Sequence, residues 1–210
     1  MQVARALACR TRLRLLSCLA RGQELAPTVL AAELRLKNGL VSAHIRRLVA
    51  AGLIRQRRSG VWAYCQSCSA YGPQTFSGQV SAWIFDLLHS PQRILDRCGV
   101  IQLCNSQNPE EQVHTLVFET ATAFANVRRL QLLRRLTTER VLTPEALSCQ
   151  LKMSASAVSR HMNKLRRRGY VTGNQTKHTM AYGLKPTLKT PLDEQFFAMV
   201  KKEWRRSLQS

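Results

Sequence analysis

The segment 154–165 has the apolar spacing of an amphipathic helix. Val158, Met162 and Leu165 recur at i, i+4 and i+7, which places their side chains on one side of an α-helix. The opposite side carries polar and basic residues: Ser156, Arg160, Asn163, Lys164 and Arg167. A helix that packs on a core with one side and is cationic on the other is typical of binding to a polyanion.

The same pattern occurs 117 positions earlier in the chain. Residues 37–48 align with 154–165 without a gap, and both segments contain Val-Ser-x-His. The register also holds for Leu13 and Leu130, Leu16 and Leu133, Leu19 and Leu136, Leu25 and Leu142, Pro27 and Pro144, Leu30 and Leu147, Leu34 and Leu151, and Gly52 and Gly169. Because most of these pairs are apolar and helically spaced, the chain is predicted to contain two copies of one domain.

Each copy is predicted to consist of helices followed by a β-hairpin. In the first copy, a helix is predicted over 11–19 and another from Pro27, before the basic helix 37–48. Two strands are predicted at 53–57 and 61–64, around a turn at 58–60. In the second copy the strands are predicted from Tyr170 and around 180–182. This order of elements is that of a winged helix.

The predicted fold class is mainly α with small β-hairpins (α+β), as two tandem winged helix-turn-helix domains with pseudo-two-fold symmetry. The expected ranges are 1–66 and 110–186 for the winged helices and 67–109 for a loop, a helical segment and a linker at 105–109. A C-terminal helix is expected within 187–210, with an apolar stripe on Leu192, Phe196, Val200 and Trp204. It is expected to pack on its own core or on the helix after the first wing; a homodimer seam is the alternative.

The charge of the chain favours double-stranded DNA as its partner. There are 32 Lys and Arg residues against 12 Asp and Glu, a formal net charge of +20, which is typical of nucleic-acid binding. No apolar run approaches the roughly 18 to 20 residues of a membrane-spanning helix. The sequence near Cys9 leaves no room for a signal peptide, and seven irregularly spaced cysteines suggest reduced thiols, so a cytoplasmic protein is expected.

Residues 30–36, 41–45 and 51–54, repeated as 147–153, 158–162 and 168–171, resemble the ArsR-type family of bacterial repressors. These are small winged-helix proteins that usually work as homodimers. The resemblance implies a transcription regulator, most often a repressor, and two copies in one chain imply a monomeric pseudo-dimer, with a homodimer as the alternative. Its two recognition helices would enter major-groove faces about 34 Å apart.

The chain departs from the family at its metal sites and turns. Where metal-sensing members have Glu-Leu-Cys-x-Cys, the two copies read Glu-Leu-Ala-Pro-Thr at 24–28 and Val-Leu-Thr-Pro-Glu at 141–145. The last helix lacks the histidines of a C-terminal metal site of the family. Arg35 and Lys152 stand where the family often has glycine, which leaves the turn geometry open.

The candidate DNA-binding residues lie on the two basic helices and the wings. They are Lys37, Asn38, Ser42, Ala43, His44, Arg46, Arg47, Arg57 and Arg58 in the first copy, and Ser154, Ser156, Ser159, Arg160, His161, Asn163, Lys164 and Lys177 in the second. Arginines on the helices can donate to guanine and Asn163 can pair with adenine, while the serines, Lys37 and the wing arginines would hold phosphates. The alternatives are a solvated basic face and, for the two histidines, simple packing or a phosphate contact.

The two basic helices differ at base-reading positions. Ala43 stands where the second copy has Arg160, and Arg46 stands where it has Asn163. Since these side chains pair with different bases, an asymmetric DNA site is expected.

Four cysteines form a candidate metal site. Cys65 and Cys68 have a chelating spacing, and Cys98 and Cys104 follow the next helical segment. Together they could enclose zinc or arsenite as a cofactor, which would make the protein a metal-, arsenical- or redox-responsive regulator. Free thiols are the alternative.

An enzyme is not expected. The sequence has no glycine-rich phosphate loop, no paired carboxylates and no nucleophile with an evident base. An architectural protein that coats DNA by charge alone is the remaining alternative. The Arg and Asn residues at base-reading positions favour a sequence-specific regulator instead.

Overall fold

A computed structural model describes residues 1–68, 71–99, 108–175 and 180–207. The first half contains α1 (Gln2–Leu7), α2 (Arg10–Ala20), α3 (Pro27–Leu34), α4 (Asn38–Ala50), β1 (Arg55–Ser59), β2 (Trp62–Gln66), α5 (Phe76–His89) and α6 (Pro91–Cys98). The second half contains α7 (Pro109–Phe124), α8 (Val127–Thr138), β3 (Val141–Leu142), α9 (Pro144–Leu151), α10 (Ala155–Arg168), β4 (Val171–Gln175), β5 (Met180–Leu184) and α11 (Pro191–Arg206). The predicted fold class, helical with small antiparallel hairpins, is confirmed.

The helix-turn-helix units α3–α4 and α9–α10 are built alike but capped differently. Pro27 and Pro144 each occupy the first turn of their helix, where a missing N–H is tolerated. In the second copy the hydroxyls of Thr143 and Ser154 accept hydrogen bonds from backbone N–H groups of α9 and α10. The equivalent residues of the first copy give no side-chain cap.

Both turns between the paired helices use a non-glycine residue in the left-handed conformation. Arg35 has φ 54° and Lys152 has φ 49°, and each ends its helix. These are the two positions where the family often has glycine. The turn geometry left open by the sequence is therefore that of a left-handed cap, held here by residues with a Cβ.

Each hairpin begins later than predicted. β1 pairs with β2 from Arg55–Gln66 to Ser59–Trp62, which leaves Gly60 and Val61 as a two-residue loop rather than a turn at 58–60. Leu53 and Ile54, predicted as strand, are instead fully buried in the core after the left-handed Gly52. In the second copy Tyr170 is likewise buried ahead of β4.

The segment between the two winged helices also differs from prediction. β2 ends at Gln66, and the helical segment expected within 67–109 forms two helices, α5 from Phe76 and α6 from Pro91. Of the expected linker 105–109, residues 105–107 lie outside the described residues and Pro109 is already the first residue of α7.

The two halves pack through equivalent helices. α1 contacts α7 and α5 contacts α11. The 117-residue offset maps α1 onto the end of α7 and α5 onto α11. Contacts between like elements are what a two-fold relation requires. The C-terminal helix therefore packs both on the helix after the first wing and on α7 of its own half, the two packing sites expected for it.

Aromatic side chains fill this junction. The ring of Phe196 in α11 lies 5.3 Å from Trp83 of α5 and 5.1 Å from Phe124 of α7, measured between centroids. The Trp83 Nε1 also donates to the Gln195 side chain at 3.1 Å. α11 is thus held against both halves by burial and by a directed hydrogen bond.

Buried polar groups fix the second half and its contact with the first. The Asp193 carboxylate accepts hydrogen bonds from the hydroxyls of Tyr170, Thr120 and Thr190 at 2.6 to 2.8 Å. Burial, followed by Asp193, raises the pKa of Tyr170. Across the halves, the Ser17 hydroxyl and His114 Nε2 lie 2.7 Å apart.

Among the described residues, no helix is long and apolar enough to span a membrane.

Candidate nucleic-acid interface

α10 has the two sides that its sequence predicts. Val158, Met162 and Leu165 are fully buried. The candidate residues Ser154, Ser156, Ser159, Arg160 and Lys164 are exposed, whereas His161 and Asn163 are partly buried. The Ser154 cap and the left-handed Gly169 (φ 81°) define the two ends of the helix.

α4 repeats this arrangement in the first half. Val41, Ile45 and Leu48 are buried on the core side. Of the candidate residues, Lys37, Asn38, Arg46 and Arg47 are exposed, and Ser42, Ala43 and His44 are partly buried. The helix starts at Asn38 without a side-chain cap, which leaves its first N–H groups available to an anion.

The exposed cations of both helices are free of intramolecular ion pairs. In the described part of the chain, the ion pairs involve Arg21, Arg57, His114, Arg135 and Arg168. Arg46, Arg47, Arg160 and Lys164 are not among them. Their charge is therefore available to phosphates or bases.

The basic residues of the wings differ in whether they are free to contact DNA. Arg58 is exposed, but Arg57 donates to Glu24 at 2.8 Å, and this hydrogen bond lowers the pKa of the Glu24 carboxyl. A phosphate contact by Arg57 would compete with this exposed pair. Lys177, the candidate of the second wing, lies outside the described residues.

Comparison with protein families matches both copies. Residues 126–172 match the family described as bacterial regulatory protein, arsR family, and residues 7–57 match a helix-turn-helix domain family. The chain is a tandem ArsR-type protein. Proteins of this kind are DNA-binding transcriptional regulators.

Solved structures of similar proteins cover about half of this ArsR-type chain. HlyU from Vibrio cholerae is 31% identical over 43% of this chain and 92% of its own, with a TM-score of 0.37. NolR from Sinorhizobium fredii is 22% identical over 48% and 97%, with a TM-score of 0.39. A homodimeric winged helix-turn-helix DNA-binding domain from Mycobacterium bovis, a possible ArsR-family regulator, is 26% identical over 51% and 85%, with a TM-score of 0.37. No curated protein matches.

In this ArsR-type protein, Arg12 of α2 is buried and Arg129 of α8 is partly buried, and they join these helices to α1 and α7 at the junction. Arg12 donates from Nε and Nη2 to the carbonyls of Ala6 and Arg5 at 2.5 and 2.6 Å. Its equivalent, Arg129, donates to Ala123 at 3.0 Å and Thr122 at 2.5 Å. Each guanidinium thus caps the negative end of a helix. Sequence reasoning missed this pair, although its exact 117-residue spacing inside an apolar repeat marks it.

The two recognition-helix histidines lie beside these arginines. Burial lowers the pKa of both His44 and His161, and the largest further contributions come from Arg12 and Arg129, respectively. The Nδ1 atom of His44 is buried and has no partner within the described ranges. Both histidines therefore favour the neutral form, which suits packing better than phosphate binding.

The cysteines do not assemble into a metal site where the structure describes them. Cys65 is fully buried, and burial raises its pKa to about 11, whereas Cys68 is exposed and Cys98 half-buried. No three His, Cys, Asp or Glu side chains come together as metal ligands in the described ranges. The fourth candidate, Cys104, lies outside them. The ArsR-type motif positions hold Ala26 and Thr28 instead of cysteines.

Proposed function

We propose that this protein is a transcriptional repressor that binds one asymmetric operator through α4 and α10 of a single chain. The observation that carries the proposal is the presence of two basic helices whose exposed candidate cations form no ion pairs among the described residues, on halves that pack through equivalent elements. Such packing holds two recognition helices in a fixed relation, which is the role of the homodimer in single-domain regulators.

The two helices would read different half-sites. Arg46 and Arg47 supply donors suited to guanine in the first half-site. In the second, Arg160 suits guanine and Asn163 suits adenine. Lys37, Ser42 and Ser159 would contact phosphates and set the register of each helix. The expected operator therefore has two related but unequal halves.

The proposal is tested by selecting bound sequences from a random DNA library and measuring Kd for the selected and for scrambled DNA at one salt concentration. Arg160→Ala should weaken binding to selected DNA by about 1–3 kcal/mol, roughly fivefold to 150-fold in Kd, because a bidentate base contact is lost. It should also relax the preference at one base position. The matched control Arg134→Ala removes an exposed arginine from α8, outside the candidate surface.

Two results would contradict the proposal. If both variants weaken binding to selected and scrambled DNA alike, charge alone drives binding and the protein coats DNA without sequence choice. If the selected site is a perfect palindrome bound by one chain, the two helices do not read different bases.

A further inference from the structure

A surface cavity of about 290 Å³ lies between α1, the start of α2 and the end of α4. Its lining includes three arginines and three alanines, Arg5, Arg12, Arg47, Ala6, Ala50 and Ala51. Its volume is just below the range for sites of drug-sized ligands, roughly 300–1,000 Å³. The cavity is therefore large enough for a small metabolite and cationic on several sides.

The positive charge in this cavity has no acidic partner within the described residues. The ion pairs there do not include Arg5, Arg12 or Arg47. Arg12 is only 6% exposed, and its Nε and Nη2 are used by helix carbonyls. Arg5 donates from Nε to the Ala125 carbonyl of the second half at 3.1 Å. Several guanidinium N–H groups remain without an anion.

The equivalent place in the second half is filled by an ion pair. Arg168 of α10 binds the Glu119 carboxylate of α7 beside Arg129. In the first half, the residues 117 positions earlier are Ala51 and Gln2, which cannot form that pair. The same framework thus holds a carboxylate in one half and an open arginine-lined cavity in the other.

We propose that this cavity binds a small molecule through a phosphate or carboxylate group, which takes the place that the Glu119 carboxylate has in the second half. Guanidinium groups bind such oxyanions by paired, charge-assisted hydrogen bonds. The alanines leave room for a short apolar or neutral part of the ligand.

Binding there would act on the DNA-binding surface. Arg47 belongs both to the cavity and to the candidate residues of α4, and Arg5 reaches across to the second half. An anion that engages Arg47 withdraws one cation from the DNA and lowers DNA affinity. This second step rests on the proposed function, whereas anion binding does not.

Anion binding is tested on the full chain by calorimetric titration with inorganic phosphate, with chloride holding the ionic strength constant. We expect saturable binding that Arg47→Gln weakens about tenfold, since one charged hydrogen-bond donor is lost. Arg134→Gln, which removes the charge of an exposed arginine on α8 outside the candidate surface, should leave phosphate binding unchanged. Binding that does not saturate, or that both variants weaken equally, overturns the proposal.

A charge-neutral double variant tests the cavity itself. Gln2→Glu with Ala51→Arg rebuilds the ion pair of the second half and should abolish phosphate binding, with circular dichroism confirming the fold. If this folded variant still binds phosphate like the wild type, the cavity is not the site.

DNA measurements distinguish a free ligand from a DNA phosphate. Phosphate should lower the DNA affinity of the wild type but not that of the double variant. If the wild type binds no inorganic phosphate while Arg5→Gln weakens DNA binding, the cavity receives the DNA backbone, and the proposal fails. If phosphate binds as expected but no DNA site is selected, the proposed function fails and the anion site stands.

Discussion

At the scale of single residues, Arg12, which is buried, and Arg129, which is partly buried, are cations whose partners are helix carbonyls. Without the guanidinium, two carbonyls at each helix end lose their donors in a region that is at least partly shielded from water. A polar residue inside an apolar repeat is not identifiable as a cap from spacing alone, because its partners lie in the preceding helix and depend on how the two helices cross.

Arg129→Met should lower the free energy of unfolding by about 2 kcal/mol, since the apolar volume is kept while charged hydrogen bonds to partly buried carbonyls are lost. Urea denaturation followed by circular dichroism measures this change. Arg134→Met, which alters an exposed arginine of α8, should change stability by less than about 0.5 kcal/mol. Equal effects of the two variants would show that the carbonyl contacts contribute nothing.

His114 makes stability depend on pH. Burial lowers the pKa of His114 from its ordinary 6.5, despite the opposing effect of Glu110. The unfolded chain therefore takes up a proton at higher pH than the folded chain. The stability due to neutral His114 is complete above pH 6.5 and declines as the pH falls from there toward the lowered pKa of the folded state.

We expect His114→Gln to reduce the loss of stability between about pH 7.5 and 5.5, measured from urea midpoints at several pH values. The slope with pH is compared rather than the stability itself, because the contact of His114 with Ser17 is lost as well. His89→Gln removes an exposed histidine and serves as the control. The same slope for both variants would exclude His114 as the source.

At the scale of elements, the turns between α3 and α4 and between α9 and α10 contain backbone strain that a substitution to glycine should relieve. A residue with a Cβ in the left-handed conformation is less stable there by roughly 1 kcal/mol than glycine. Arg35→Gly and Lys152→Gly should each raise the free energy of unfolding by about 0.5–1 kcal/mol, measured by thermal unfolding. Arg35→Ala and Lys152→Ala, which keep the Cβ, should give no such gain. A gain with alanine would point to the long side chain instead of the backbone.

The elements were largely predictable from the sequence, and their ends were not. The buried stripe of α10 followed directly from Val158, Met162 and Leu165, because a periodic pattern specifies a face. Leu53 and Ile54 were predicted as strand because an apolar pair has the same composition in a strand and in a buried connection. The cavity beside Arg12 could not be predicted from a sequence motif. It depends on the angle at which the helices cross and on the absence, from the first copy, of the ion pair that fills the equivalent place in the second.

At the scale of the whole molecule, the junction of α1, α5, α7 and α11 joins the two halves that carry the recognition helices. Trp83 contributes to it through Phe196 and Gln195. Trp83→Ala should lower the free energy of unfolding by about 2 kcal/mol, less than a fully buried aromatic residue would, because Trp83 is partly buried. It should also weaken DNA binding although Trp83 lies outside the candidate surface.

Trp62→Ala is the matched control, because Trp62 is 59% exposed on the first wing and should affect stability little. Chemical denaturation and DNA titration of both variants provide the comparison. If Trp83→Ala loses stability but keeps full DNA affinity, the spacing between halves does not govern DNA binding.

Placing both recognition helices in one chain changes how such a regulator can evolve. In a homodimer both recognition helices are encoded by the same gene segment, so one substitution changes the base preference at both half-sites. The DNA must then change at both half-sites to restore binding. Here Ala43 and Arg160 occupy equivalent positions and have already diverged, as have Gln2 and Glu119. One half can therefore evolve a new DNA target or a new ligand while the other half keeps its original function.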